Sequence, residues 1–449
     1  MATVIPLRGC LYNPAIIQDM GEVLCPPYDM IAPELHEELK RLSSYNAVHL
    51  EGGEQPDPET LEIDYMKAAE LFEDWLAQKV LVRDEQPCFY LMKHGFEYRG
   101  QPKSQLGLFA NIGLADYNEN IVFPHEFTRE PAVLDRVALL EHSKTQFSPI
   151  MTNYRDSLGT LRSLYHQVMQ GPPILSVTGR PDGNIDLWRI SDLSIQESIT
   201  QFFKDVPLFL ADGHHRYEAA LRYQRLQRQT ESYSTGAGSD YVMMSLVEFD
   251  DPGLLLLPYH RSINNLTEAQ LSGVREAIDE LFEIQPVRLE DKSVEALLDD
   301  VSFLGSDRHA LAMIGPRSGE AYLLMLRPGV DWQSWGDLAI SEAWVLEEKI
   351  LRPLLGDRLT QHVNYGHDHQ LCVDQVIKGE RQLAFLLKPF PMDAFETIVG
   401  GGQKLPSKSL GRGFFSDVQS GAFRLPNGNT LITEADDAYI FEVTSSGIQ

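Results

Sequence analysis

Apolar positions recur at helical spacing through residues 64–82, where Ala68, Phe72, Trp75 and Leu76 define one face of an amphipathic helix. The same period predicts helices from Pro33 through "PELHEELKRL", across 131–147 in "PAVLDRVALLEHSKTQF", and in "ISDLSIQESITQFFKDV". Alternating or continuous apolar runs predict strands at "YNAVHLEGG" (45–53), "SPIMTNY" (148–154), "YVMMSLVEF" (241–249) and "LLLLPYHRSI" (254–263). Two hairpins are expected, one turning at Arg99-Gly100 and one at "PDGN" (181–184). After 266 comes a helix and a strand, then helices at 341–352 and 370–378 and a strand at 382–388. The polar stretch 228–241 is expected to be a surface loop. There is no repeat of fixed period.

This order predicts an α+β (mixed α/β) chain with a central module. The expected divisions are 1–95, an N-terminal α/β segment; 96–260, the core; and 261–449, a C-terminal α/β domain. A hydrophobic fraction of 43% and a charged fraction of 23% are ordinary for a globular chain with real cores. The formal net charge of −27 would repel a phosphate backbone, so nucleic acid is not expected as a partner. Cys10, Cys25, Cys88 and Cys372 show no metal-binding or redox spacing, which predicts reduced thiols. The first residues lack a basic segment followed by an apolar one, and no apolar run approaches a membrane span. A cytoplasmic location away from membranes is therefore expected, with oligomerisation left open.

The chemistry concentrates in "LADGHHRYEAAL" (210–221), where a short apolar run turns into a helical one. Asp212, Gly213, His214, His215 and Arg216 then stand at a helix N-terminus, whose exposed N–H groups and dipole favour anions. Gly213 permits close backbone approach, Arg216 offers a planar fork for phosphate oxygens, and the histidines add donors. Asp212 either caps the helix or carries a Mg²⁺ that bridges to phosphates. A solvated Asp-Gly turn accounts for the same residues without a ligand. Adjacent histidines point about 100° apart on a helix, so one zinc ion does not readily take both.

A second cluster is "FPHEFT" (123–128). Glu126 in a Pro-fixed turn beside His125 is a candidate general base, although from the residues alone a helix-capping glutamate on a solvated turn is the better explanation. His125, Thr128 and, further on, Arg136 are candidates for holding the acceptor. His260 and Arg261 end an apolar run and form a weaker candidate pair. "YGHDHQ" (365–370) reads as a polar turn, and "GGGQK" (400–404) lacks the context of a phosphate loop.

These segments carry a resemblance. With "CPPYDMI" (25–31), "YNAVHLE" (45–51), "DRVALLE" (135–141), "SPIMTNY", "LPYHR" (257–261) and "LPSKS" (405–409), the chain resembles a prokaryotic family catalogued as a domain of unknown function. That family in turn resembles the free serine kinases of the ParB/sulfiredoxin-like superfamily, which combine Pro-His-Glu, Asp-Gly-His-His-Arg and a C-terminal Lys-Ser/Thr stretch in that order. The resemblance implies a ParB/sulfiredoxin-like core with added N- and C-terminal segments. It implies Glu126 as base, Asp212 with Mg²⁺, and Gly213, His214, His215 and Arg216 around the phosphates of ATP or ADP. Lys408 and Ser409 would lie near the acceptor, a small-molecule hydroxyl with L-serine as first choice. Tyr28 and Asp29 would form one wall. Two stretches depart from that pattern: "SKSLGRGFFSD" after 406, and "ISEAWVLEEKI" (340–350), which replaces a His-containing helix. The expected activity is nucleotide-dependent phosphoryl transfer; the alternatives are a nucleotide-binding regulatory module and a metal-dependent hydrolase.

Overall fold

The computed structural model describes residues 1–26, 31, 33–51, 65–180, 183–230, 233–255, 257–305, 308–315 and 320–405, and strand segments after 421. Two compact units emerge, one built on Met1–Leu255 together with Phe415–Gln449 and one on Leu256–Phe414. The fold is mixed α/β.

In the first unit the strands are β1 (Val4–Ile5), β2 (Cys10–Tyr12), β3 (Leu81–Arg83), β4 (Phe89–Tyr98), β5 (Gln101–Gly113), β6 (Val122–Phe123), β7 (Ile150–Tyr154), β8 (Leu175–Arg180), β9 (Gly183–Ile190), β10 (Leu208–Asp212) and β11 (Tyr241–Glu248). Its helices are α1 (Pro33–Leu42), α2 (Val48–Glu51), α3 (Tyr65–Ala77), α4 (Glu130–Ser143), α5 (Thr160–Val168), α6 (Leu193–Phe203) and α7 (His214–Gln227). The main sheet runs β6-β10-β7-β11-β5-β4-β9-β8, with β1 added beside β5. It is antiparallel except for the β6/β10 and β7/β11 pairs, which are parallel. The expected division at 95/96 falls inside β4, which pairs without a break from Tyr90 to Tyr98 with β5.

Alternation explains this sheet. Leu208 and Leu210 of β10 enter the main core with Leu91, Leu108, Ala110, Met244 and Leu246, roofed by Ile199 and Phe203 of α6 and by Tyr217 and Leu221 of α7. Phe209, on the opposite face, stacks on Phe123 of β6 with centroids 5.3 Å apart. Arg99 and Gly100 both take positive φ, 50° and 69°, the backbone a two-residue hairpin with right-handed strand twist requires.

Two expectations fail for local reasons. Residues 45–53 read as a strand, but Val48–Glu51 is a helical turn. Asn46 fixes it: its Oδ1 accepts the Val48 N–H, and its amide donates to the carbonyls of Glu22 and Leu24. The apolar run at 254–263 forms a strand only at His260–Ile263. Upstream, the Asp251 carboxylate accepts the N–H groups of Leu106 and Gly253, bending the chain away from an extended path. A Cβ on Gly253 would meet the Ser104 backbone at 2.4 Å, so that turn is packed against β5.

The second unit contains β12 (His260–Ile263), β13 (Phe282–Arg288), β14 (Ala310–Ile314), β15 (Glu320–Leu326), β16 (Val363–Gly366) and β17 (Leu383–Leu386), ordered β13-β15-β14-β17-β12-β16. Its helices are α8 (Glu268–Leu281), α9 (Val294–Leu304), α10 (Glu342–Val345), α11 (Arg352–Leu355), α12 (His369–Ile377) and α13 (Met392–Gly400). A π-helical segment, Leu346–Leu351, joins α10 to α11 ahead of Pro353. Further along, β18 (Ala422–Arg424), β19 (Thr430–Glu434), β20 (Tyr439–Thr444) and β21 (Gly447–Ile448) pair as an antiparallel meander.

Candidate functional site

The parallel pair β6/β10 brings the two sequence clusters together. Leu208 pairs with Val122 and Phe209 with Phe123, so both strands end on the same side of the sheet. There β6 runs into "PHEFT" and β10 into Gly213 and α7, the strand-end position where open α/β sheets hold ligands. Between Leu210 and Asp212 the pairing of β10 with β7 slips by one residue, a bulge that re-aims the chain just before the motif.

Gly213 then takes φ 90° and ψ 28° as the N-cap of α7, a left-handed backbone that favours glycine. It offers no side-chain cap, so the backbone N–H groups of the first turn of α7 begin at this strand end.

The two histidines face different partners. His214 Nε2 accepts the backbone N–H of His125 at 3.2 Å, and His215 Nε2 accepts the backbone N–H of Arg129 at 3.0 Å. Both ends of the loop that carries Glu126 are thus fastened to the first turn of α7. Both bonds require an unprotonated Nε2, which puts the ring proton of each neutral imidazole on Nδ1. His125 Nδ1 lies 2.7 Å from the Leu210 carbonyl, which only accepts, so this nitrogen carries a proton and, in the neutral ring, Nε2 holds the lone pair. His125 and His214 are 2% and 4% exposed, and their rings meet edge to face at 4.4 Å. Glu126 Oε1 stands 3.6 Å from His125 Nε2, on a side chain 38% exposed. One atom from each of His125, Glu126 and His214 lies within 4.8 Å of the others, a spacing compatible with one metal ion. Thr128 is half-buried on the same loop, and Phe127 is 70% exposed beside Glu126.

Arg216 departs from expectation. Its Nη2 pairs with Asp212 Oδ2 at the end of β10, and its Nη1 donates to the Pro149 carbonyl at 2.6 Å. The fork expected on phosphate is therefore engaged within the protein, and the carboxylate expected on Mg²⁺ is neutralised by a guanidinium.

Arg136 departs further. It is 4% exposed, with Nη2 2.6 Å from Asp135 Oδ2, Nη1 3.4 Å from Glu51 Oε2 and Nη2 2.5 Å from the Tyr65 hydroxyl. Burial pushes the Tyr65 phenol up, so this hydroxyl stays protonated and donates to Asp135 Oδ1 at 2.8 Å. Meanwhile Val133, Val137 and Leu140 of α4 pack on Ala219 and Tyr223 of α7. Arg136 thus belongs to the α2–α3–α4 packing rather than to an acceptor pocket. At the start of α4, Glu130 takes Arg222 of α7 in a two-pronged bond of 2.6 and 2.7 Å. That bond holds the Glu130 carboxyl below its ordinary range.

Other candidates fall in the second unit or outside the described residues. His260 is 1% exposed and accepts the Leu387 N–H at 3.1 Å; Arg261 is fully buried and donates to Glu347 at 2.8 and 2.9 Å. Both are packing residues of that unit. In "YGHDHQ", Asp368 caps α12 and His367 stacks on Tyr259. Tyr28, Asp29, Lys408 and Ser409 lie outside the described residues.

The partners that sequence reasoning missed are backbone groups: the N–H groups of His125 and Arg129 and the carbonyls of Pro149 and Leu210. No residue-type signal marks them.

No curated protein matches the sequence. Solved structures that match this chain include a free serine kinase in complex with AMP, at 13% identity and TM-score 0.31, over 68% of this chain and 86% of that one. A variant of a free serine kinase in complex with ADP matches at 11% identity and TM-score 0.31, over 69% and 87%. A conserved hypothetical protein from Pyrococcus furiosus matches at 12% identity and TM-score 0.29, over 68% and 89%. No described helix is long and apolar enough to cross a membrane. A family model matches residues 4–346, a span that includes both motifs, and the chain belongs to that family, described as Protein of unknown function (DUF1015).

Proposed function

We propose that the first unit is a nucleotide-dependent phosphotransferase of the serine-kinase type, moving a phosphoryl group from ATP or ADP to a small-molecule hydroxyl, with L-serine as the first candidate. One observation carries this reading: the loop bearing Glu126 and the N-terminus of α7 meet at the ends of two adjacent parallel strands, fastened by His214 and His215. The resemblance of "FPHEFT" and "LADGHHRYEAAL" to the serine-kinase pattern supports the same roles.

In this reading the phosphates approach the N–H groups of the first turn of α7, where Gly213 leaves room and the helix dipole favours negative charge. The acceptor hydroxyl lies beside Glu126. As its oxygen attacks phosphorus, the O–P bond forms and the bond to the leaving nucleotide breaks; the hydroxyl proton passes to Glu126. Fixing the loop at both ends limits the reorganisation needed to align base and acceptor. Asp212 Oδ2 is paired with Arg216, and no step is assigned to protein-bound Mg²⁺. Arg216 instead stiffens the turn, tying α7 to Pro149.

The second reading, a nucleotide-binding module without transfer, is favoured by that same engagement of Arg216, which leaves the transferred group one fewer cationic partner. Calorimetry with ATP, ADP and AMP, followed by mass spectrometry of a pool of hydroxyl metabolites incubated with nucleotide and Mg²⁺, separates the two. Binding with a phosphorylated product supports transfer. Binding without product supports the module, and absence of binding overturns both.

A further inference from the structure

His214 and His215 diverge on one helix and do not readily share a zinc ion. The fold supplies the second imidazole from a residue 89 positions away. We propose that His125, Glu126 and His214 bind one divalent cation of the zinc class, and that occupancy converts Glu126 from proton acceptor to metal ligand. The proposal builds on the site assigned above and adds a means of controlling it.

Three observations carry it. The donor set is two imidazoles and one carboxylate, each offering an atom within 4.8 Å of the others. Such a set suits zinc, cobalt or manganese; Mg²⁺ prefers oxygen ligands throughout. The lone pairs are also preset. The Leu210 carbonyl holds the proton of His125 on Nδ1, leaving Nε2 as donor atom, the outer bond that metal-bound histidines ordinarily make. His214 Nε2 is likewise unprotonated, since it accepts the His125 N–H. Binding therefore displaces no proton from either neutral ring. Finally, both imidazoles are buried while the Glu126 side chain is 38% exposed, so the carboxylate links the cluster to solvent. Closing on a cation costs the long His125 N–H bond to His214 Nε2, 3.2 Å, which the metal–nitrogen bond replaces. Three protein ligands leave a fourth position for water or a substrate oxygen.

The test titrates the full-length, metal-stripped chain with Co²⁺ and follows its visible absorption, with circular dichroism as a check on folding. Wild type is expected to bind one Co²⁺ with the intense bands of a four-coordinate site, and Zn²⁺ is expected to abolish them. His214→Gln, which keeps an acceptor for the His125 N–H, and Glu126→Gln should each weaken binding at least tenfold while the far-ultraviolet spectrum stays unchanged. Weak octahedral bands in wild type, or binding equal in all three proteins, would overturn the site. Because this readout needs no turnover, it stands apart from the phosphotransferase reading. One equivalent of Zn²⁺ should also suppress phosphoryl transfer at least tenfold, reversibly with a chelator; bound Zn²⁺ that leaves transfer unchanged would overturn the control of Glu126.

Discussion

His215 Nε2 accepts the backbone N–H of Arg129 at 3.0 Å, closing the far end of a loop whose near end His214 holds at His125. Between the two bonds lies Glu126. The adjacent histidines thus serve first as a clamp between β6 and α7.

This arrangement makes His215 a positioning residue. A hydrogen bond of this kind contributes about 1 kcal/mol net, so His215→Ala should leave nucleotide affinity nearly unchanged and lower kcat severalfold. His215→Gln, which retains an acceptor, should recover part of the rate. Hydrogen exchange at the Arg129 amide checks the cause: it accelerates in the alanine variant.

Arg136 yields a different outcome. Removing one member of a buried ion cluster leaves charge without compensation, typically about 3–5 kcal/mol. Arg136→Ala strands Glu51 and Asp135 and should lower the melting temperature sharply, with activity lost in proportion to the folded fraction. A folded variant of normal Tm with weakened acceptor binding would restore Arg136 to the acceptor pocket.

Gly213→Ala tests the turn. A residue with φ 90° is strained by about 1–3 kcal/mol once it carries a Cβ, and that Cβ would stand 2.9 Å from Arg216 Nε. Thermal melts should show lost stability, and calorimetry a weaker response to nucleotide than in wild type.

Asp251 provides a pH signature. Burial raises its carboxyl from 3.8 to about 6, despite the two N–H groups it accepts. The folded state therefore holds this proton more tightly than the unfolded chain does. Its contribution to stability is full below 3.8 and is lost as pH rises through about 6. Melting temperatures of wild type relative to Asp251→Asn should fall across that window and level off above it.

Much of the first unit was legible because its elements follow simple periods. β7, β10, α4 and α7 emerge from apolar runs and helical spacing, and Arg99-Gly100 announces its own turn. The four-residue helix at Val48 was not, since Asn46 side-chain bonds decide it rather than any period. At the site, the pairing of "FPHEFT" with "DGHHR" was legible as residue types in order. Their mutual geometry was not, because each histidine finds a backbone amide that any residue would supply. Arg216 shows a different limit: its chemistry suggested a phosphate, while the turn at Gly213 sets its guanidinium against Asp212.

Glu126 is proposed to take the proton of an acceptor hydroxyl beside nucleotide phosphates. The most direct test of this role is phosphorus NMR of wild type and Glu126→Gln, each incubated with nucleotide, Mg²⁺ and L-serine or a pool of small hydroxyl compounds, with nucleotide affinity measured in parallel. Wild type should give a new phosphomonoester signal, Glu126→Gln should lose it, and the nucleotide affinities of the two should agree within a few-fold. Equal product formation by the two proteins, or nucleotide binding lost together with transfer, would contradict it.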